Sequence, residues 1–309
     1  MRNIKHRTFL ICAALFLLPS AGETATLRVN CERGNTLQGM MGKLTSGDTL
    51  LVSGTCNENV SINESLERII IDGQGTATIN ASDTTRAAVG IRGRNVILTG
   101  FTITGGENGV GITRGGTATI TNCIIQSALR DGIGVSQGST VRVTNSTIQN
   151  NTNQGVNVVR NAYARLGFLT LEGTETIPGG VGPNTIQNNG DNGVRVADSS
   201  DADIIDNTIS NNTRSGVFVD RVSHALVASN RINGNGEDGI AVGRNSGVTL
   251  GQPTGTDIDE LPNNTTANNT NFGIRCFINS YADGRLGTLN GTTGAKSTFA
   301  GGCIDSLDP

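Results

Sequence analysis

The chain has 309 residues, of which 16% are charged and 3% aromatic, and it contains no tryptophan. Its 23 basic and 26 acidic residues give a net charge of −3, which argues against nucleic acid as a general partner. Its one long apolar run, at the N-terminus, is too short to cross a bilayer. We therefore expect neither a nucleic-acid partner nor a membrane span.

Residues 1–22 have the pattern of a secretory signal peptide. Arg2, Lys5 and Arg7 precede an apolar segment from Phe9 to Leu18, and the small residues 20–22 offer a cleavage site. Cleavage would remove three basic residues and leave 20 basic against 26 acidic, a net charge near −6. We expect a secreted or periplasmic protein, and we expect it to be a monomer.

Residues 35–44 predict the only helix. Leu37, Met40, Met41 and Leu44 follow the spacing of one helical face, and Asn35 is in position to cap the first turn. Repeat proteins need such a segment because the first repeat has no neighbour to cover its core.

A glycine then recurs every 23 residues through the middle of the chain. Small and apolar residues alternate after it, for example at 132–135 and 216–219, and this period of two predicts strands. A fixed period of this length, built of short strands and turns, predicts the stacked coils of a parallel β-helix. The spacing is kept by Gly109, Gly132 and Gly155, and again by Gly193, Gly216 and Gly239.

Polar residues keep the same phase. One column stands four residues before the glycine: Asn151, Asn189, Asn212, Asn235 and Asn269. A second column stands five residues earlier: Cys123, Ser146, Asn184, Asn207, Asn230 and Asn264. Because coils stack ~4.8 Å apart, we expect hydrogen-bonded asparagine ladders. Cys123 is expected to be a buried free thiol rather than a nucleophile.

The 23-residue phase is interrupted at two insertions, about 161–183 and 245–262, and a related tail loop follows at 279–294. Tyr163 and Tyr281 fall in these loops and are candidates for stacking on sugar rings, or else they anchor the loops. We expect one domain over 23–309, with an N-terminal cap over about 23–60, coils over about 61–278 and a C-terminal cap over about 279–309.

Cysteines mark both ends of the predicted solenoid. Export would place them in an oxidising compartment, where disulfides persist. Cys31 with Cys56 would cross-link the N-terminal end, and Cys276 with Cys303 the C-terminal end, where coils fray most.

The opening segments 46–55, 57–62 and 69–75, followed by the repeats from Ala87 to Cys276, resemble secreted right-handed parallel β-helix proteins of the pectate-lyase-like fold. The resemblance covers nearly all of the mature chain and matches no single enzyme subfamily. It implies an all-β, single-stranded right-handed parallel β-helix of about 23 residues per coil with a short N-terminal capping helix. Known members include lyases, hydrolases, epimerases and adhesins.

Five residues after the glycine position runs an arginine-rich column, which is unexpected on an acidic protein. It suits paired contacts to the carboxylates of an anionic polymer. Alternatively, each arginine covers a turn and pairs with an acid such as Asp198 or Asp220. Its members are Arg92, Arg114, Gln137, Arg160, Asp198, Arg221 and Arg244. Two residues before the glycine, a second column of alternating charge is expected to form surface ion pairs; it contains Glu107, Arg130, Asn153, Asp191, Arg214 and Glu237.

The motifs of polygalacturonase-like hydrolases and mannuronan-epimerase-like proteins are absent from the sequence. His224, the one histidine of the mature chain, is interpreted as a solvated turn residue, with an acid–base role as the alternative. Two hypotheses follow. The first is a secreted protein that binds an acidic polysaccharide, with cleavage by β-elimination as its catalytic form and calcium as the cofactor a lyase would use. The second is a non-catalytic adhesion or structural solenoid.

Overall fold

A computed structural model describes residues 24–167, 182–252, 257–298 and 302–308. The predicted signal peptide, 1–22, lies outside the described residues. Within them the chain is a right-handed parallel β-helix, as predicted, in which every named strand pairs in parallel with the equivalent strand of the next coil. Each coil contributes to up to three stacks of strands, which enclose one continuous apolar core.

The first stack contains the strands β1 (Thr26–Asn30), β2 (Thr49–Ser53), β5 (Ile70–Asn80), β7 (Val96–Thr104), β9 (Thr117–Thr121), β12 (Thr140–Thr144), β15 (Tyr163–Gly167), β18 (Asp201–Ile205), β21 (His224–Ala228), β24 (Gly247–Leu250), β26 (Ser280–Arg285) and β28 (Cys303–Asp308).

The second stack contains β3 (Thr55–Cys56), β10 (Ile124–Gln126), β13 (Thr147–Gln149), β16 (Thr185–Gln187), β19 (Thr208–Ser210) and β22 (Arg231–Asn233), together with the later parts of β5 and β7. The third stack contains β4 (Val60–Ile62), β6 (Val89–Ile91), β8 (Val110–Ile112), β11 (Ile133–Val135), β14 (Val156–Val159), β17 (Val194–Ala197), β20 (Val217–Val219), β23 (Ile240–Val242), β25 (Phe272–Cys276) and β27 (Gly294–Thr298).

The period of two decides which side chains enter the core. In β11, Ile133 and Val135 are fully buried while Gly134 between them faces outward. The pairing keeps Ile133 beside Val156 of the next coil, so one apolar column continues along the stack. Each such side chain contributes about 1.5–3 kcal/mol by leaving water.

Both asparagine ladders are present. In the first, Asn151 Nδ2 donates to Asn189 Oδ1 at 3.0 Å, and the same bond recurs through Asn212 and Asn235 to Asn269. In the second ladder, the prediction that Asn264 is the last member is wrong. The Asn230 amide donates instead to Asn263 Oδ1 at 2.9 Å, because the chain re-enters this coil one residue earlier after the insertion.

The capping helix α1 spans Leu37–Met41, preceded by a 3₁₀ turn over Cys31–Arg33. The prediction of Asn35 as the cap is wrong, because the hydroxyl of Thr36 accepts from Gly39 N. Glu58 completes the cap from the next coil, since its two carboxylate oxygens accept from Leu37 N and Gln38 N at 2.7 and 2.9 Å. The helix buries Leu37 and Met41 against the first coil of the core, as expected of a terminal cap.

Disulfides Cys31–Cys56 and Cys276–Cys303 are both formed, which confirms the predicted pairs and indicates an oxidising compartment. Cys123 is a buried free thiol, and burial raises its pKa to about 12. Parallel pairing continues on both sides of residues 61–278, in β1 with β2 and in β26 with β28. None of the described helices is long and apolar enough to cross a membrane.

Candidate functional site

The arginine column forms one edge of the solenoid, at the turn from the third stack to the first. Arg114, Arg160, Arg221 and Arg244 are exposed and have φ values of 53–59°, in the left-handed region. Arg92 is half-buried and is not left-handed. The residue after each left-handed arginine is left-handed too, and it donates its N–H to the turn of the next coil, for example Asn161 N to Asp198 O at 3.2 Å. These bonds hold the arginines in line at coil spacing.

The outer face of the third stack lies between this edge and the second charged column. The middle residue of each strand faces outward there, and the strand pairing aligns these residues in one row: Ser61, Gly90, Gly111, Gly134, Asn157, Arg195, Phe218, Ala241 and Arg275. The small residues in this row leave depressions in the surface, and the larger side chains form the walls of these depressions.

Three depressions lie along this face, and together they are called the groove. The first, of about 260 Å³, lies between Arg92 and Glu107, and the second, of about 170 Å³, lies between Arg160 and Arg130. The third and largest has a volume of about 400 Å³. Arg114 is not among the residues that line them. From β6 to β23 the groove spans six coil spacings, roughly 30 Å.

Asp220 organises the largest depression. Its side chain is only 1% exposed, and its Oδ2 lies 2.9 Å from Arg244 Nη1, 3.6 Å from Arg221 Nε and 3.8 Å from Arg195 Nη2. Three guanidinium groups from three coils therefore converge on one buried carboxylate. The alternative that Arg221 and Arg244 pair with nearby acids is confirmed for both, since Arg221 also contacts Asp198 at 3.2 Å.

A second buried acid contacts another arginine that lines this depression. Asp238 is fully buried, and its Oδ2 lies 2.7 Å from Arg275 Nε. Burial raises the pKa of Asp238, and the Arg275 guanidinium opposes that rise. Arg275 also lies over the ring of Phe277, 5.2 Å from its centroid. These contacts fix the arginine in place while its guanidinium lines the depression.

Arg195, Arg275 and Phe218 also line the depression, although they were not among the residues predicted from the sequence. All three occupy the middle position of the glycine–apolar–x–apolar repeat, at 193–196, 216–219 and 273–276. That position faces outward in every coil, so the repeat phase would have identified them.

The opposite border carries the column of alternating charge, and its predicted ion pairs are confirmed. Arg130 contacts Glu107 at 3.0 Å, and Arg214 contacts Glu237 at 3.1 Å and Asp191 at 3.8 Å. These pairs connect adjacent coils on an exposed surface, where each contributes little to stability. The groove thus has a charge-balanced border on one side and an arginine-rich border on the other.

The prediction that Tyr163 and Tyr281 lie in loops is wrong, because both lie in strands. Asn161 to Gly167 contains the regular strand β15, and the segments at 245–251 and 279–287 contain β24 and β26, so the three resemble one another because each holds the equivalent first-stack strand of its own coil. The first insertion begins after Gly167, and 168–181 lie outside the described residues, as do 253–256 of the second. Tyr163 and Tyr281 lie on the first stack and do not line the groove.

His224 is also in a strand, β21, rather than in the predicted turn. The strands of the first stack begin three residues after the left-handed arginine position, which places residue 224 at a strand start facing outward. Among the described residues, the one cluster of three potential metal ligands consists of Glu58 with the disulfide-bonded Cys31 and Cys56, and Glu58 already caps α1.

Comparisons with known proteins agree with the architecture. The family model for the right-handed beta helix region matches residues 34–177 and 169–290. The fold is similar to the periplasmic alginate epimerase AlgG, with a TM-score of 0.54 and 12% identity over 91% of this chain and 84% of that one. It is also similar to pectate lyase Pel9A, with a TM-score of 0.55 and 14% identity over 90% of this chain and 80% of that one.

A stretch of 85 residues is 36% identical to a cell surface glycoprotein of Methanothermus fervidus. The stretch is 27% of this chain and 14% of that protein, so this chain matches only a small part of its relative. The family match spans most of the chain and coincides with the stacked coils. The chain therefore belongs to the family of right-handed parallel β-helix proteins.

Proposed function

We propose that this protein binds an acidic polysaccharide along the groove of the third stack. The observation that carries the proposal is the convergence of Arg195, Arg221 and Arg244 on the single buried carboxylate of Asp220. Three positive charges meet two carboxylates there, because Arg221 also contacts Asp198. The local charge is therefore positive on a chain whose net charge is negative.

The donor chemistry of these arginines fits carboxylates. Each guanidinium has five N–H donors, and Arg244 directs one at Asp220 in the closest of the three arginine contacts to that carboxylate. The guanidinium N–H groups that do not contact an acidic side chain of the protein would form paired hydrogen bonds with a carboxylate or sulfate of the ligand. The arrangement extends over several coils, which suits an extended polymer better than a compact ligand.

The solved relatives support this class of ligand. Alginate and pectate, which appear in the names of the two similar proteins, are both acidic polysaccharides. These proteins resemble this chain in fold alone, so the proposal of an acidic polysaccharide rests on the arginines.

Cleavage by β-elimination is the catalytic form of the proposal. Such a reaction builds negative charge beside the sugar carboxylate, and the guanidinium groups around Asp220 would stabilise it. Calcium bound between the polymer and the protein would add to that stabilisation in a lyase.

The test combines binding and turnover. The mature protein is run in native gels containing polygalacturonate, alginate or a glycosaminoglycan, with and without calcium, and unsaturated products are followed by their absorbance. We expect retardation by at least one polymer. Arg244→Gln should weaken affinity about tenfold, the value of one charge-assisted contact. Arg285→Gln removes the same charge from an exposed site away from the groove and should change affinity little.

Retardation by none of the polymers, or equal loss in the two variants, would overturn the binding proposal. Retardation without unsaturated products in either calcium condition would overturn the catalytic form alone.

A non-catalytic surface module is the second candidate, and the similarity to a cell surface glycoprotein favours it. In that case the protein should sediment with cell-envelope fractions, and Arg244→Gln should not release it. Both candidates include export. N-terminal sequencing of protein recovered from outside the cytoplasm should begin near residue 23 if residues 1–22 are a cleaved signal peptide.

A further inference from the structure

A second surface, on the first stack, differs in chemistry from the groove. The outward column at the start of its strands contains Tyr163, Asp201, His224, Gly247 and Tyr281 in successive coils. The Tyr281 and His224 rings have centroids 6.0 Å apart and planes within 25° of parallel. We call these two rings, with Gly247 between them in the column, the aromatic platform.

Gly247 determines how the tyrosine lies. A Cβ at residue 247 would be 2.0 Å from Cζ and 2.5 Å from the hydroxyl of Tyr281. The far end of the ring therefore rests on the neighbouring strand, so the ring lies along the column instead of projecting into solvent. Because the Tyr281 ring extends over Gly247, it approaches His224, which lies two coils away. Tyr281 remains 39% exposed, which leaves ring surface open to solvent.

The surroundings of the platform are polar and acidic. Thr249 Oγ1 lies 3.3 Å from Nε2 of His224. Asp201 is exposed in the same column, and Asp283 stands two residues after Tyr281 on β26. Partial burial raises the pKa of the Tyr281 hydroxyl, and the negative charges of Asp283 and Asp201 add to the rise.

We propose that the aromatic platform binds a neutral sugar ring of a glycan. An open aromatic face attracts the C–H face of a pyranose, and carboxylates at its border accept hydrogen bonds from sugar hydroxyls. The same carboxylates repel a uronate or a sulfated sugar, so this site selects against the ligand class that the groove attracts. The two surfaces meet at the arginine edge but face different directions, so one chain would contact two kinds of glycan.

Tyrosine fluorescence offers a direct probe, because the chain has two tyrosines and no tryptophan. Tyr163 lies several coils away, where its hydroxyl donates to Asp203 Oδ2 at 2.6 Å. In a Tyr163→Phe background, all of the tyrosine emission therefore comes from Tyr281. This protein is titrated with cellohexaose, xylohexaose and mannohexaose, and each titration is repeated by calorimetry.

We expect a saturable change of emission with at least one neutral oligosaccharide. Tyr281→Ala should weaken calorimetric binding about tenfold or more, Tyr281→Phe should retain it, and Gly247→Ala should weaken it because the new methyl displaces the ring. Circular dichroism and thermal unfolding establish that each variant is folded. The acidic polymers that test the groove serve as the negative ligands, and Tyr281→Ala should leave their binding unchanged.

No response to any neutral oligosaccharide, or a response that Tyr281→Ala leaves intact, would overturn the proposal. Loss of acidic-polymer binding in Tyr281→Ala would also overturn it, because the two surfaces would then act as one site. Failure of the groove proposal has a different signature, since it changes only the response to acidic polymers.

Discussion

The asparagine ladder provides the sharpest test of what holds the coils together. Asn212 lies in the middle of the first ladder and is 1% exposed. Its Oδ1 accepts from the backbone and side-chain nitrogens of Asn189 at 3.1 and 3.0 Å, and its Nδ2 donates to Ile186 O and Asn235 Oδ1 at 3.2 and 3.0 Å. Asn212→Ala removes all four bonds without placing bulk in the core.

The expected cost follows from these contacts. A buried hydrogen bond contributes about 1 kcal/mol net, and a donor left unpaired costs about 1–3 kcal/mol. Asn189 Nδ2 keeps one partner, because it also donates to Ile148 O at 3.3 Å, whereas its backbone N–H loses its bond to Asn212. The four lost bonds alone predict a loss of about 4 kcal/mol in the free energy of unfolding, and the unpaired N–H of Asn189 adds to it.

The assay is urea unfolding followed by circular dichroism, with peptide-level hydrogen exchange as a local readout. Faster exchange should appear in the coils that contain Asn189 and Asn235 and fade with distance, because each coil contacts only its neighbours. Asn153→Ala is the matched control: it is half-buried and contributes a backbone bond to Arg130 O, which alanine retains. A loss below about 1 kcal/mol, or equal losses in both variants, would refute the view that the ladder is a major source of stability.

Three further predictions concern the turn, the thiol and the C-terminal end. Val222 is 61% exposed with a φ of +62°, a strained conformation for a β-branched residue, so Val222→Asn should raise the free energy of unfolding by about 1 kcal/mol in chemical denaturation, and a decrease would contradict this. Because burial raises the pKa of Cys123 from 9.0 to about 12, unfolding releases a proton between these values. The wild-type protein should therefore lose stability relative to Cys123→Ala as the pH rises above 9. Its thiol should react with Ellman's reagent in urea but not in the native state. Rapid labelling of the native protein would contradict the burial of Cys123. Replacing Cys276 and Cys303 by serine opens a loop of 27 residues and should cost ~3.5 kcal/mol, with accelerated hydrogen exchange confined to the last coils; uniform acceleration would contradict local fraying.

Residues that recur every 23 positions could be placed from the sequence, because stacking brings the equivalent residues of adjacent coils into direct contact. Asn189 and Asn212 are adjacent for this reason, and so are the apolar columns of the core. The position of the arginine column follows from the same phase. Terminal disulfides were predictable because each pair spans about one coil, 25 and 27 residues.

The repeat phase is less informative where insertions change the chain length. Asn263 takes the ladder position that simple counting assigns to Asn264. Tyr163 and Tyr281 looked like loop residues because residues 161–183 interrupt the 23-residue spacing and residues 279–294 follow its last coil. Only backbone pairing between coils shows that both belong to the first stack.

The sequence alone therefore determines the architecture of this protein, since a period of two within a period of 23 has one compact solution in which every coil buries the same face. The tertiary structure decides the chemistry of its surfaces. Asp220 meets Arg195, Arg221 and Arg244 from three different coils, and Tyr281 reaches His224 only because Gly247 leaves room beneath the ring. Such neighbours depend on side-chain direction and on the length of each coil, which a one-dimensional repeat does not specify.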